Sequence, residues 1–368
     1  MRAIFAGGGT AGHVNPALAV ANYLKKQEPD SQIWFFGGTG NIEETLVQRA
    51  GYPIYTFPLQ GLSRSKSLSG MVKNVKALLD TWKAIQGCKK IIRELKPDIV
   101  MGTGGYASFA MVYAAAQCGV KTAVLEVNAV PGITVKQLSG KVDCVMLNFA
   151  ETEKFVKSAK RIEVTGSPIR EEIVRCNERC DAPLFDNGMP LVVSFWGSVG
   201  AKYMNQKMED FILCNALTPR FNHIHAAGSS QYGWMKQDVE AKGVDLNACK
   251  HIDLREYIYD MDKVLAQADL VICRGGGTLA ELCAAGKPSI VVPSPYAAEN
   301  HQEKNARILE AAGAAAVVTE AEATGAGLYE KACELLSQPT LLAEMGENAR
   351  KKGHPEAIDH IYRTLKSL

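Results

Sequence analysis

Short apolar segments alternate with helical stretches along the whole chain. Most of these segments are continuously apolar, which is typical of parallel strands covered by helices on both faces. The repeated order of strand and helix predicts a doubly wound α/β fold in each half of the chain. The predicted strands are residues 2–6, 32–36, 54–58, 98–102, 121–125, 143–148 and 161–165 in the first half, and 191–195, 223–227, 249–253, 269–273, 288–292 and 314–318 in the second.

A segment with several prolines, residues 166–190, separates the two halves and predicts a linker. Each half opens in the same way, with an apolar strand, a glycine-rich turn and a helix, at residues 4–13 and 191–200. In open α/β sheets, ligands bind at the carboxyl ends of the strands. Two such domains facing each other are therefore expected to bind a ligand in a central cleft.

The composition is that of an ordinary globular protein large enough for two domains, with 368 residues, 47% apolar and 22% charged. The 41 Lys and Arg residues against 39 Asp and Glu leave a net charge of +2, which argues against general nucleic-acid binding. No apolar run reaches the roughly 20 residues of a membrane span. The first residues lack a signal-peptide pattern, so we expect a cytoplasmic protein. The ten cysteines are scattered and predict reduced thiols and no zinc site.

The first glycine-rich turn fits the dinucleotide-binding pattern G-x-G-x-x-G through Gly7, Gly9 and Gly12. That pattern also requires an acidic residue near the end of the second strand, and residues 32–38 contain none. This difference argues against an NAD site. The glycines and the following helix N-terminus still suit an anionic ligand, and a tight turn without any ligand is the alternative. The chain has no Walker A sequence, which excludes a P-loop NTPase.

Three polar residues at the hinge and in the second half could bind the hydroxyls or phosphates of a ligand. Glu281 lies one turn into the helix that follows Arg274-Gly-Gly-Gly, where a carboxylate can accept bonds from two sugar hydroxyls. Gln302, in the polar segment after the strand at 288–292, can bind hydroxyls through its amide. Arg170 lies at the hinge, two residues after Pro168, and can bind a diphosphate in bidentate fashion. The alternatives are an acid favoured by the helix dipole, a polar helix start and a solvated arginine.

Residues 60–93 are strongly basic, with Asp80 as their only acidic residue. Apolar residues recur in this segment at the spacing of one helical face: Met71, Val75, Leu78, Trp82 and Ile85. A basic amphipathic helix with a tryptophan predicts contact with a membrane surface. The alternative is a helix that packs on the core and exposes a basic face. The residues predicted to face the membrane are Lys73, Lys76, Leu78, Trp82 and Lys83.

Six segments, taken together and in order, resemble the MurG family of peptidoglycan glycosyltransferases, which have the GT-B fold. The likeness covers nearly the whole chain. It implies two doubly wound Rossmann-like domains that face a central cleft: an acceptor- and membrane-facing domain at 1–166 and a UDP-sugar domain at 167–354. A C-terminal helix at about 355–368 would pack back onto the first domain. The segments are 8–16, 101–106, 166–170, 257–261, 274–281 and 301–306.

The resemblance implies an inverting transfer of N-acetylglucosamine from UDP-N-acetylglucosamine to the muramoyl sugar of lipid I, a polyprenyl-diphosphate acceptor. The product would be lipid II for peptidoglycan synthesis, on which cell-wall biogenesis, cell shape and cell division depend. The protein would act as a peripheral protein on the cytoplasmic face of the cell membrane. Three alternatives stay open: a GT-B transferase with another acceptor, a UDP-sugar epimerase, and a non-catalytic nucleotide-sugar binder.

The resemblance also implies roles for individual residues. The backbone of Ile258 would hold uracil and Glu281 the ribose, while Ser198 and Arg170 would hold the diphosphate. The other residues expected to contact the donor are Asn128, Gln302, Gly277, Thr278, Leu279 and Ala280 around the sugar, and Thr10, Ala11 and Gly12 from the first domain.

The transfer needs a base for the acceptor hydroxyl and positive charge for the departing diphosphate. His13 is the first candidate base, because the pKa of histidine, about 6.5, suits that task; Glu126 is the second. Helix N-termini and Arg170 supply positive charge, so the sequence predicts neither a metal nor a cofactor. Two family motifs differ here: His-Glu-Gln-Asn is replaced by Leu-Glu-Val-Asn at residues 125–128, and a glutamine by Val199.

Overall fold

The computed structural model describes residues 1–59, 68–179, 181–197 and 200–368, and within them not the side chains of 68–73, 76 and 78. The described chain forms two compact units. Unit 1 comprises Met1–Ile169 together with Pro355–Leu368, and unit 2 comprises Arg170–His354. The division after Ile169 falls close to the predicted boundary at residue 166.

Unit 1 contains a parallel sheet of seven strands in the order β3-β2-β1-β4-β5-β6-β7. Its strands are β1 (Arg2–Ala6), β2 (Gln32–Gly38), β3 (Ile54–Phe57), β4 (Ile99–Gly102), β5 (Lys121–Glu126), β6 (Cys144–Leu147) and β7 (Ile162–Val164). Its helices are α1 (Ala11–Gln27), α2 (Ile42–Arg49), α3 (Leu68–Leu95), α4 (Gly105–Gln117), α5 (Ile133–Leu138) and, at the end of the chain, α14 (Ala357–Ser367).

The sheet of unit 1 is covered on both faces, which explains its continuously apolar strands. Helices α3 and α4 cover one face, where Met111 and Cys88 are fully buried. Helices α1 and α14 cover the other face, where Leu24 and Ile361 are buried. Glu28 at the end of α1 accepts a hydrogen bond from Lys366 of α14 at 2.7 Å. The last helix of the chain is therefore part of unit 1.

Unit 2 contains a parallel sheet of six strands in the order β10-β9-β8-β11-β12-β13. Its strands are β8 (Leu191–Phe195), β9 (Asn222–Ala226), β10 (Ile252–Arg255), β11 (Leu270–Cys273), β12 (Ser289–Val291) and β13 (Ala315–Val317). Its helices are α6 (Glu171–Val174), α7 (Lys202–Leu217), α8 (Tyr232–Ala241), α9 (Met261–Gln267), α10 (Thr278–Ala285), α11 (His301–Ala311), α12 (Gly325–Leu336) and α13 (Pro339–Lys352).

The doubly wound α/β fold predicted for each half is confirmed, since every predicted strand segment holds a strand. The largest difference between a predicted and an observed strand boundary is at β10, which begins at Ile252 and not at residue 249. The Asp245 side chain accepts hydrogen bonds from the backbone N–H of Asn247 and Ala248, and the Asp245 carbonyl accepts one from Cys249. This turn keeps the chain out of the sheet until Ile252. Among the described residues, no helix is long and apolar enough to span a bilayer.

Candidate active site

In unit 1, the glycine turn between β1 and α1 interlocks with a second glycine turn after β4. The Gly8 N–H donates to the Gly104 carbonyl at 3.3 Å, and the Thr103 hydroxyl donates to the His13 carbonyl at 2.6 Å. A Cβ atom at Gly105 would lie 2.3 Å from the Gly8 carbonyl oxygen, and Gly105 has a φ of +82°. Only glycine fits there. The two turns therefore form one rigid edge at the carboxyl ends of β1 and β4.

His13 lies in the first turn of α1, with Nδ1 2.9 Å from the Thr103 carbonyl oxygen. A carbonyl oxygen only accepts, so Nδ1 carries the proton and donates it. In the neutral ring Nε2 then carries the lone pair, which is the form a general base requires. A Cβ at Gly104 would lie 2.5 Å from Nδ1, so the second glycine turn also makes room for the ring.

Glu126, at the end of β5, is only 4% exposed. Its Oε1 accepts hydrogen bonds from the backbone and side-chain amides of Asn128 at 2.9 and 3.0 Å, and Oε2 accepts one from the Gly132 N–H at 2.9 Å. Burial raises the pKa of this carboxyl, and the hydrogen bonds from Asn128 and Gly132 oppose that shift. Both oxygens hold the loop at 126–132 and orient the Asn128 amide.

Three predicted donor contacts, Thr10, Ala11 and Gly12, lie at the start of α1. Thr10 is the N-cap, and its carbonyl accepts hydrogen bonds from the backbone N–H of His13 and Val14. The side chain of Thr10 makes no capping hydrogen bond, and the residue is exposed. The positive end of a long helix is thus presented at the surface of unit 1.

In unit 2, Arg170 and Glu281 are brought together although 111 residues separate them in sequence. The Arg170 Nε donates to Glu281 Oε1 at 3.1 Å, with side-chain exposures of 54% and 21%. A pair this exposed contributes about 0–1 kcal/mol. Either side chain therefore exchanges its partner for a ligand group at small cost.

The turn before α10 packs against the start of α11. A Cβ at Gly275 would lie 2.2 Å from the Gln302 carbonyl oxygen, and the Asn305 side chain donates to the Gly275 carbonyl at 3.0 Å. At Gly276 and Gly277 a Cβ would meet no atom within 4 Å, so the turn faces open space. This packing places Thr278, Leu279 and Ala280, at the start of α10, beside the segment that contains Gln302.

The Gln302 amide has a defined orientation. Its Oε1 accepts a hydrogen bond from the Ser294 N–H at 2.9 Å. The other end of the amide is therefore the NH₂ group, which donates. A donor of this kind suits the hydroxyl or carbonyl oxygens of a sugar.

Ile258 lies in the loop between β10 and α9, with its side chain 2% exposed. The rings of Tyr257 and Tyr259 flank it at the surface, with centroids 5.0 Å apart and exposures of 42% and 84%. The buried side chain anchors the backbone predicted to contact uracil. Ser198, the other predicted phosphate contact, lies outside the described residues, as does Val199.

Arg274, directly after β11, has a structural role that its position in the glycine motif did not predict. Its guanidinium pairs with Glu320, donates to the Val292 carbonyl at 3.0 Å and lies 5.7 Å from the Trp196 ring centroid. Both members of the pair are largely buried. Arg274 thus ties β11, β12 and the end of β8 together beneath the glycine turn.

On α3, the apolar residues predicted to share one face are divided between two. Ile85 is buried against the core, because this part of α3 packs on α4. Val75 and Trp82 are exposed by 58% and 61%, and Leu79 between them by 55%. These three form an exposed apolar stripe at spacings of four and three residues, next to exposed Lys83. The side chains of Lys73, Lys76 and Leu78 lie outside the described part of the structure.

Two models of one enzyme family match this chain. The glycosyltransferase family 28 N-terminal domain matches residues 3–147, and the glycosyltransferase family 28 C-terminal domain matches residues 191–361. The chain belongs to glycosyltransferase family 28. It is therefore a glycosyltransferase, as predicted from the order of its motifs.

Proteins that are similar over the full length show to which group within this family the chain belongs. A UDP-N-acetylglucosamine–N-acetylmuramyl-(pentapeptide) pyrophosphoryl-undecaprenol N-acetylglucosamine transferase from Caldanaerobacter subterraneus is 40% identical over 374 residues, covering 100% of both chains. The crystal structure of Acinetobacter baumannii MurG matches with a TM-score of 0.78 at 28% identity, covering 100% of this chain and 99% of that one. The chain thus belongs to the MurG family, and the predicted GT-B fold is confirmed.

The same fold also occurs in a different class of enzyme. A UDP-N-acetylglucosamine 2-epimerase from Listeria monocytogenes, described as putative, matches with a TM-score of 0.68 over 100% of this chain and 96% of that one, but at 15% identity. Similarity at that level shows the fold alone. It does not favour the epimerase alternative.

Proposed function

We propose that this protein transfers N-acetylglucosamine from UDP-N-acetylglucosamine to the muramoyl sugar of lipid I, with inversion, and so forms lipid II. The observation that carries the proposal is the 40% identity over the whole length to a transferase named for this reaction. The paired Arg170 and Glu281 beside the open turn of α10 support it, because they match what a sugar nucleotide requires.

Unit 2 holds the donor in this proposal. Arg170 turns from Glu281 to the diphosphate, and the released carboxylate accepts hydrogen bonds from the ribose hydroxyls. The backbone at Ile258 contacts uracil, and Gln302 donates to the sugar. Thr10, Ala11, Gly12, Asn128, Ser198 and the residues from Gly277 to Ala280 stay predicted donor contacts.

In the chemical step, the acceptor hydroxyl oxygen attacks the anomeric carbon while the bond from that carbon to the diphosphate oxygen breaks. The hydroxyl proton passes to Nε2 of His13, and the bonding electrons leave with UDP. Arg170 and the N-terminal amides of α10 stabilise the charge that develops on the diphosphate. The proposal needs neither a metal nor a cofactor, since these groups provide the positive charge.

His13 suits the base better than Glu126 does. The hydrogen bond from Nδ1 to Thr103 fixes the tautomer with its lone pair on Nε2. The oxygens of Glu126 already accept three hydrogen bonds and are buried. We therefore assign Glu126 to orienting Asn128.

The exposed stripe of α3 supports peripheral binding to the cytoplasmic face of the cell membrane. Burying an apolar side chain of this size in a bilayer contributes about 1.5–3 kcal/mol, and the neighbouring basic residues favour anionic lipids. Replacing Val75, Leu79 and Trp82 with serine should lower binding to anionic vesicles at least about tenfold. Leu217→Ser, which changes a residue of 76% exposure in unit 2, is the matched control. Equal vesicle binding by both variants would contradict the membrane assignment.

The test of the function is incubation with labelled UDP-N-acetylglucosamine, with and without a polyprenyl-diphosphate muramoyl-pentapeptide acceptor. Labelled disaccharide lipid that forms only with acceptor supports the proposal. A changed sugar without acceptor would indicate an epimerase, and donor binding without product would indicate a binding protein. Either result would overturn it.

A further inference from the structure

Glu43 is a buried carboxylate that the mechanism above does not use. It lies in the first turn of α2 and is 1% exposed. Its Oε2 accepts a hydrogen bond from the Gly9 N–H at 3.0 Å, and its Oε1 accepts one from the Gly38 N–H at 2.9 Å. It therefore joins the first glycine turn to the end of β2. Burying a carboxylate without hydrogen bonds costs much free energy. The two backbone amides therefore stabilise the Glu43 carboxylate, and the carboxylate in turn fixes the positions of the amides.

These amides lie where a nucleotide-binding fold holds its ligand. Gly9 belongs to the G-x-G-x-x-G turn, whose backbone usually faces a phosphate, and Gly38 ends the neighbouring strand. Here a side chain of the protein supplies the negative charge. We propose that Glu43 fills the anion position of the first glycine turn and is a positioning residue that fixes the turn preceding His13.

The glycines around Glu43 support this proposal independently. A Cβ at Gly8 would lie 2.2 Å from Glu43 Oε1, and one at Gly37 would lie 2.6 Å from Glu43 Cγ. These two positions therefore lack side chains because the carboxylate occupies the space. The turn is shaped around Glu43 and is complete before any ligand arrives.

The position of Glu43 therefore affects both the proposed base and the ligands of the first glycine turn. The same turn continues into Thr10 and His13, so a change in its shape moves the proposed base. Because the Gly9 N–H already donates to Glu43, this amide of unit 1 does not need a ligand phosphate as its acceptor. The inference rests on the proposed transferase reaction, in which unit 2 binds the donor.

The first test is Glu43→Gln, which keeps the size of the side chain. A glutamine has one oxygen for two N–H donors, so its NH₂ group must face Gly9 or Gly38. We expect kcat to fall about 10- to 100-fold, as a displaced catalytic group would cause, while the donor KM changes less than about twofold. Glu44→Gln is the matched control, because Glu44 accepts a hydrogen bond from the Gly40 N–H at the surface and none from the first glycine turn among the described residues. This variant should behave as wild type.

The second test is Glu43→Ala with added formate or acetate. A small carboxylate that enters the vacated position should raise kcat several-fold in a saturable manner, whereas sodium chloride at equal ionic strength should not. Wild type should respond to neither. A purely structural role would not give saturable recovery of kcat.

Three results would overturn the inference: unchanged kcat in Glu43→Gln, a donor KM that rises as much as kcat falls, or no recovery with formate. Loss of cooperative thermal unfolding in both variants would also overturn it, because Glu43 would then be a folding residue. The proposed function fails in a different way, when wild type itself forms no lipid product.

Discussion

The two units of this protein use the same strand–glycine–helix design with opposite charges beside the glycines. In unit 1 the Gly9 amide donates to the buried carboxylate of Glu43. In unit 2 the turn before α10 faces open space, and the guanidinium of Arg170 lies beside the helix through its pair with Glu281. The Gly9 amide of unit 1 thus has its acceptor within the protein, whereas in unit 2 a guanidinium beside the helix favours an anion.

The comparison shows that a glycine pattern determines the shape of a turn but not its ligand. The helix N-terminus attracts anions in both units. The nearest charged side chain decides whether that attraction is used for a ligand or for the protein itself. The glycine motifs alone would predict a nucleotide in both units. Two domains with the same fold can nevertheless bind different ligands.

The largest expected effect is that of His13→Ala. Loss of a general base lowers turnover about 10²- to 10⁴-fold, and kcat measured at saturating donor should show this. The dissociation constant for UDP should not change, because unit 2 holds the nucleotide. Near-normal turnover would remove His13 from this role and would direct attention to Glu126.

Arg170→Ala, in contrast, should weaken the binding of UDP, the product that forms from the donor. Hydrogen bonds to charged groups contribute about 1.5–3 kcal/mol, so the dissociation constant for UDP in calorimetry should rise about 10- to 100-fold. Arg175→Ala removes a neighbouring exposed arginine that pairs with Glu171 at 3.4 Å and should have no effect. If both variants bind UDP equally well, Arg170 does not contact the diphosphate.

A smaller effect is expected for Glu281→Ala, and it concerns the ribose. Wild type should prefer UDP over 2′-deoxy-UDP about tenfold, because the carboxylate accepts from the 2′-hydroxyl. In the variant this ratio should approach one. Glu310→Ala, which removes an exposed acid paired with Arg307, provides the control. A ratio that stays near tenfold in Glu281→Ala would place the ribose elsewhere.

Much of the fold was predictable because parallel strands must be apolar on both faces. Continuous apolar runs therefore gave the position of each strand. The boundary of β10 was not predictable, since it depends on the turn built by the Asp245 side chain. The buried face of α3 was not predictable either. This helix has apolar residues on two sides, and only the packing of α4 selects the side that contains Ile85.

Within the candidate site, the residues on glycine turns were predictable because such turns leave a clear sequence pattern. The pair of Arg170 and Glu281 required the fold to bring the two residues together. Glu43 was missed for a different reason. An acidic residue in the first turn of a helix is common for electrostatic reasons, so nothing in the sequence shows that this one points back at a glycine turn.

The two units should also differ in their response to acid. In unit 2, the Ser194 hydroxyl lies 2.8 Å from His223 Nε2 and 2.7 Å from His225 Nδ1. Burial lowers the pKa of His225 to about 3 and that of His223 well below its usual 6.5. The unfolded chain takes up protons near pH 6.5 and these folded residues do not, so the stability of unit 2 falls as the pH drops below 6.5.

In unit 1, the hydrogen bond from Lys366 lowers the pKa of Glu28 from 4.5 to about 2. The contribution of Glu28 is complete above pH 4.5 and is lost only as the pH falls from there toward 2. Between pH 6.5 and 4.5, the hydrogen-exchange protection of amides in β8 and β9 should therefore decrease, and that of amides in β1 and β2 should not.

The acid-dependent loss of protection in β8 and β9 is the smallest of the expected effects, because it is absent at neutral pH. His223→Leu removes one of the two buried rings and should reduce the acid sensitivity of β8 and β9. His360→Leu changes a histidine of unit 1 with 40% side-chain exposure and should leave that sensitivity as in wild type. Equal loss of protection in both sheets of wild type between pH 6.5 and 4.5 would show that the buried histidines do not distinguish the units.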